Sequence, residues 1–240
     1  MNRTTRSVVI GGSSGMGLAT AKLLTSDGGD VVLVGRSLER LEAARTALGG
    51  DVETIVADIG DRDQVSAMFA RVGRCDHVVV TAANLAYGPI AELAEQDVMR
   101  GVRSKLLGPI FVAQECATRL ESGGSITFTT GIAAQRPMRG GSSAAMVNSG
   151  LEGLVRALAI ELAPLRVNAV SPGWTDTPIW DSMASITPER KRELFDQMAN
   201  RLPVGRIGAV EDVAEAIVYL MRNRFTTGTV LDVDGGHRLV

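Results

Sequence analysis

Short β-branched runs alternate with stretches of helical periodicity along almost the whole chain, and that alternation leaves few ways to fold. Ser7 to Ile10 reads as a strand, and residues 16 to 26 place Met16, Ala19, Leu23 and Leu24 on one helical face before Asp27-Gly28-Gly29. Asp30 to Gly35 reads as a second strand, followed by Ser37 as the N-cap of a helix with Leu38, Leu41 and Leu48 inward. Val52 to Asp58 is a third strand, Val65, Met68, Phe69 and Val72 mark the next helix, and His77 to Ala82 is a fourth strand. A long helix is expected over Glu95 to Leu120, complicated by Gly101, Gly108 and Pro109. Then come a strand at Ser125 to Thr130, a helix at about Ser143 to Ala163 and a strand at Arg166 to Ser171. A helix near Val210 to Arg222, with Tyr219 in the core, and a strand at Val230 to Val233 finish the pattern.

Parallel strands joined through helices form right-handed units that cover both faces of one sheet. The expectation is an α/β, single-domain Rossmann-type doubly wound parallel sheet of about seven strands, spanning 1–240, with helices on both faces. Residues 174–208 carry Pro178, Pro188 and Pro203 and lack one clear period, so they are expected to form a substrate cap with a short helix. Trp174, Ile179, Trp180, Met183 and Ile186 make that cap apolar, which suits either a hydrophobic substrate or internal packing.

Between the first strand and the first helix stands Gly11-Gly12-Ser13-Ser14-Gly15-Met16-Gly17. Glycines there permit a tight turn and close approach of a phosphate to the free N–H groups of a helix start. A glycine-rich turn without a ligand is the plainer reading, and the position at the first strand–helix junction weighs against it. After the second strand comes Arg36-Ser37, with no carboxylate until Glu39. An Arg there accommodates a ribose 2′-phosphate, so the expected cofactor is NADP(H) in preference to NAD(H).

With these motifs in place the chain resembles the short-chain dehydrogenase/reductase family over essentially its whole length. Gly11, Gly15 and Gly17 match that family's TGxxxGxG, with Ile10 for the Thr. Arg166 to Gly173 is close to RVNxVxPG, Glu152-Gly153-Leu154 echoes the preceding helix, and Asp232 to Gly236 matches the C-terminal DGG segment. The resemblance implies that Asp58 and Ile59 contact adenine. It also implies that Thr81-Ala82-Ala83-Asn84 stands in for NNAG, and that Pro172, Gly173, Thr175 and Thr177 lie along the nicotinamide and a phosphate. It implies a homotetramer or homodimer too, to which the apolar helix at 151–163 is suited.

Four positions depart from the family's active site. The Asn position is Lys105, the Ser position is Gly131 beside Thr129 and Thr130, and the YxxxK positions are Ala144 and Asn148. No Tyr occurs between Tyr87 and Tyr219, and no Lys between Lys105 and Lys191. Tyr87 reads as a packing or lid residue. Reduction of a carbonyl leaves an oxygen that needs a proton, and neither Ala144 nor Asn148 can supply one. Lys105 is expected to project toward the site as oxyanion stabiliser or proton donor, unless it is a surface helix charge. Thr130 is expected to hydrogen-bond a substrate oxygen, unless backbone satisfies it, and Asn148 to touch the nicotinamide ribose. The expected function is an NADP(H)-dependent oxidoreductase acting on a small hydrophobic carbonyl or imine with altered proton delivery. The alternative is a catalytically inactive NADP(H)-binding sensor, regulatory or scaffold protein.

A formal charge of −2 and a pI near 5.8 give no reason to expect nucleic acid or an anionic membrane as partner. No apolar run is long enough to span a bilayer. Cys75 and Cys116 lack metal-type spacing and read as reduced thiols of a cytoplasmic protein. No metal is expected.

Overall fold

A computed structural model describes residues 4–49, 52–178, 180 and 187–240. Seven parallel strands form one sheet in the order β3-β2-β1-β4-β5-β6-β7. They are β1 (Arg6–Ile10), β2 (Asp30–Gly35), β3 (Glu53–Val56), β4 (Cys75–Val80), β5 (Leu120–Thr129), β6 (Arg166–Pro172) and β7 (Val230–Val233). The expected doubly wound sheet is the one observed.

Alternation within each strand divides the core in two. Val8, Ile10, Val32, Val34, Val78 and Val80 face one side, under helices α3 (Arg62–Val72), α5 (Gly108–Arg119) and α6 (Ser142–Glu161). Val9, Val31, Leu33 and Val79 face the other, under α1 (Gly15–Ser26), α2 (Leu38–Leu48) and α8 (Val210–Arg222). Both faces of the inner strands are buried, which is why these strands read as unbroken Val, Ile and Leu runs. The strand order reverses between β1 and β4, so a crevice opens outside their C-terminal ends.

The long helix expected from Glu95 is built from α4 (Glu95–Val102), a widened π turn at Arg103–Leu107, and α5. Pro109 supplies the reason. It has no N–H for the carbonyl of Lys105 four residues earlier, and its ring crowds that carbonyl. The π turn absorbs the conflict and turns Lys105 inward. Gly108 is required beside it, because a Cβ there would lie 2.7 Å from Ile59 Cγ1 and 2.9 Å from its carbonyl oxygen. Leu120 leaves the helix and opens β5.

Two core expectations are corrected. Tyr219 is 51% exposed, since α8 turns Val213, Ile217 and Leu220 to the sheet and puts Tyr219 on the outer side, where its hydroxyl bonds Asn223. Leu38, the first residue of α2, is 59% exposed, while Leu41 and Ala44 carry the packing. The helix expected in the cap is α7 (Pro188–Ala199), N-capped by Thr187. Ile179, Met183 and Ile186 lie outside the described residues. Trp174 and Trp180 pack with ring centroids 4.9 Å apart, and Phe195 of α7 meets Trp180 edge-on at 5.3 Å.

The Arg-Val-Asn run of β6 has a structural task. The buried Arg166 guanidinium donates to the Leu220 carbonyl at 2.7 Å and the Met221 carbonyl at 2.6 Å, closing the last turn of α8. Asn168 donates to the Thr226 carbonyl and accepts from the Thr229 N–H, so it shapes the approach to β7. Arg166→Met should therefore cost about 2 kcal/mol, read as a lower urea midpoint at unchanged slope. An unchanged midpoint would show that the clamp contributes nothing.

Candidate functional site

The crevice at the sheet's switch point is a cleft of about 410 Å³. The sequence dictates its floor. Gly11 has φ +91°, and a Cβ there would lie 2.6 Å from Thr81 Oγ1 and 2.7 Å from the Ala82 nitrogen. A Cβ at Gly17 would lie 2.3 Å from the Gly11 carbonyl oxygen. The turn from β1, the start of α1 and the end of β4 thus meet backbone to backbone, and the Thr81 hydroxyl reaches the carbonyls of Ile10 and Gly11. Ser14 is the N-cap of α1 but makes no side-chain cap, and no acidic residue stands in the first turn. The helix start keeps its unpaired N–H groups and positive dipole end for a ligand.

Of the expected cofactor residues, Gly11, Ser13, Ser14, Gly15, Met16, Gly17, Arg36, Ser37, Asp58, Ile59, Ala82, Ala83 and Thr177 line this cleft. Ser37 caps α2 by accepting from the Arg40 N–H at 3.3 Å, which leaves its own proton to donate. Asp58 accepts from the Gly60 N–H at 2.8 Å. Sequence reasoning missed Arg40, which also lines the cleft and reaches Ser14 Oγ at 3.1 Å. Its position three residues past an N-cap, in the first helical turn, was the available signal. Ser104 was missed as well. Its hydroxyl accepts from the Asn84 N–H at 3.0 Å and donates to the Gly101 carbonyl, tying the loop after β4 to the π turn.

The remaining expected residues lie outside the cleft lining. Pro172 ends β6, and Gly173 packs on Asp234, where a Cβ would meet the Asp234 Cα at 2.7 Å. Thr175 is buried and its hydroxyl turns to the Gly173 carbonyl. Thr130 is buried just past β5, and its proton goes to the Asn148 backbone carbonyl at 3.2 Å rather than outward. That is the plainer of the two readings of Thr130, and it follows from the packing of α6 across the end of β5. Asn148 is 3% exposed, and its side-chain nitrogen would be 3.1 Å from a Cβ at Gly131. Ala144 is fully buried on the same helix. Tyr87 is 43% exposed.

Lys105 is not a surface charge. It is 4% exposed, and its ammonium donates to the Thr129 carbonyl and, at 3.3 Å, to the Thr130 carbonyl. It sits behind the end of β5 rather than on the cleft wall. Burial alone pushes its pKa down to about 8.

Comparison with known proteins decides the lineage. A family model described as enoyl-(acyl carrier protein) reductase matches residues 11–238. The short-chain dehydrogenase/reductase fsr5 of Gibberella fujikuroi is 34% identical, over 96% of this chain and 93% of its own. The chain belongs to the short-chain dehydrogenase/reductase family. Among solved members, the MalC reductase/Diels-Alderase of Malbranchea aurantiaca superposes with a TM-score of 0.92 at 30% identity, covering 99% of this chain and 98% of that one. An NADPH-bound short chain oxidoreductase from Pseudomonas aeruginosa PAO1, described as containing an atypical catalytic center, superposes at 0.87 with 28% identity, over 97% and 96% of the two chains. Among the described residues, no helix is long and apolar enough to cross a membrane, and no side-chain cluster is suited to a metal ion.

Proposed function

We propose that the chain is an NADP(H)-dependent oxidoreductase that reduces a small hydrophobic carbonyl or imine, with Lys105 in place of the phenol and lysine of its family's usual site. The observation that carries this reading is one cleft that joins an unfilled glycine turn at the start of α1 to two arginines at the β2–α2 junction. Arg36 and Arg40 flank the β2–α2 junction, where a 2′-phosphate would need paired cations. The glycine cradle fits a pyrophosphate, because no side chain fills it and the α1 N–H groups face it. An NADPH-bound relative of the same fold supports the choice of cofactor. When bound, the reduced nicotinamide supplies a hydride.

Everything else falls to the chain's own groups. Lys105 holds the end of β5 through two carbonyls, and its charge is the group that this reading offers to a developing oxyanion. The inactive nucleotide-binding alternative draws on one observation, that Lys105 does not line the cleft. Titration with NADPH and NADH, followed by a carbonyl and imine panel read by cofactor absorbance, separates the two. Tight NADPH binding with turnover supports the reductase, binding without turnover on any substrate supports the sensor, and no binding removes both. Arg40→Ala should weaken NADPH binding about tenfold and leave NADH binding unchanged. Equal loss for both nucleotides would take Arg40 away from the 2′-phosphate.

A further inference from the structure

We propose that Arg136, Arg201 and His237 form a binding site for an oxyanion, the phosphate or carboxylate group of a small molecule, beside the end of β7. None of the three lines the cleft, so the site stands apart from whatever the cleft holds. Three segments of chain bring them together. The turn after β5 reaches β7 because Gln135 Nε2 donates to the Asp232 carboxylate at 2.9 Å, and Arg136 is the next residue. The segment after α7 lies against the turn after β7. A Cβ at Gly235 would meet Val204 Cγ2 at 2.7 Å, and one at Gly236 would meet Pro203 Cγ at 2.6 Å. Both glycines have positive φ, +62° and +84°, and the bend they make carries His237 inward to 7% exposure. Arg201 stands just before this contact and is exposed, while Arg136 is half-buried.

The local carboxylates are already engaged. Asp234 accepts from the Gly236 and Arg238 N–H groups and from the Arg238 guanidinium, each at 2.9 Å. Asp232 holds Gln135 and, at 3.4 Å, Arg238 Nε. Arg136 and Arg201 pair with no carboxylate among the described residues. The buried Nδ1 of His237 has no hydrogen-bond partner there either. Burial holds the His237 pKa below its usual value, and the charges of Arg136 and Arg201 push the same way against Asp234. Both guanidinium charges are therefore felt at the ring, which is neutral at about pH 7 and has one proton to donate. A buried nitrogen without a partner calls for one. Two cations without a counter-charge favour a negative partner, and a guanidinium matches the paired oxygens of a phosphate or carboxylate. An anion shared by the three residues would join the end of α7 to the turns after β5 and β7.

The test reads melting temperature against anion concentration at constant pH and ionic strength, with sodium phosphate and sodium acetate as probes and sodium chloride as the reference. Phosphate at about ten times its half-effect concentration should raise the melting temperature of the wild-type protein about 4 °C above chloride. The double variant Arg136→Gln, Arg201→Gln should lose at least about half of that rise, and His237→Phe should raise the half-effect concentration about threefold. Phosphate drawn to the glycine cradle is common to wild type and variants. Their difference therefore reports this site alone and holds whether or not the reductase reading does. If the double variant does not fold by circular dichroism, Arg201→Gln serves in its place, since Arg201 is exposed. A matching rise with acetate supports the site and extends it to carboxylates, and a rise with phosphate alone supports it as a phosphate site. No rise with either anion, or an equal rise in the arginine variant or in His237→Phe, overturns the inference.

Discussion

Gly17→Ala is expected to lower NADPH affinity by more than about a hundredfold and to destabilise the fold by about 3 kcal/mol. The added methyl would lie 2.3 Å from the Gly11 carbonyl oxygen and 2.6 Å from Thr81 Oγ1. Neither neighbour is a flexible side-chain end. Gly11 is itself held with φ +91° against the Ala82 backbone, and its N–H donates to the Val34 carbonyl at 2.8 Å. The methyl therefore pushes the whole turn off the start of α1, and the N–H groups that would meet a phosphate move with it. Gly153→Ala is the control. It lies within α6 with nothing within 4 Å of a new Cβ and no positive φ, so it should gain about 0.5–1 kcal/mol and leave NADPH binding alone. Thermal melts and nucleotide titration of both variants give the answer. Normal NADPH binding by Gly17→Ala would show that the crevice is not the nucleotide site.

The same contrast explains how much of the molecule is legible in its sequence. The strand β2 and the helix α8 have the bounds expected from periodicity, because their apolar spacing and their burial are one and the same fact, and β7 has its expected bounds although its four residues are only half-buried. The glycine loop is legible because its strand and helix neighbours define its position. Tyr219 misled because an aromatic ring among alanines and leucines looks buried, and only the rotation of α8 on the sheet turns it outward. Thr130 misled in another way. Its residue type suggests a donor for a ligand, but α6 crosses the end of β5 closely enough for the hydroxyl to be taken by the Asn148 backbone carbonyl. The inward turn of Lys105 depends on a clash between Pro109 and a carbonyl four residues earlier. Both residues are visible in the sequence, but the direction in which the π turn would swing the side chain is not. Arg40 was passed over because a helix surface carries many arginines, and only the fold brings this one to Ser14.

Lys105→Met is expected to reduce kcat about a hundredfold while changing NADPH affinity less than about twofold, since it removes charge from the reacting end and nothing from the phosphate end. The wild-type pH profile should carry the same signature. With the ammonium pKa pushed down to about 8, kcat/KM should fall as pH rises through that value, and the inflection should vanish in Lys105→Met. Stability must move the other way. The unfolded chain holds this proton up to its ordinary value of 10.5, while the folded chain gives it up near 8, so between those limits the unfolded state binds more protons. Raising the pH across that window therefore favours the fold, by about 3 kcal/mol relative to the Met variant. The penalty of burying the charge is fully present below pH 8 and is relieved above it. A lysine that served only to brace β5 would have its charged form favoured by the Thr129 and Thr130 carbonyls, so its folded pKa would lie above the unfolded one, and stability and activity would decline together as pH rises. Opposite slopes for the two, measured by urea titration and by kcat/KM over the same buffers, identify Lys105 as a charge retained against the stability of the fold; parallel slopes would reduce it to a brace.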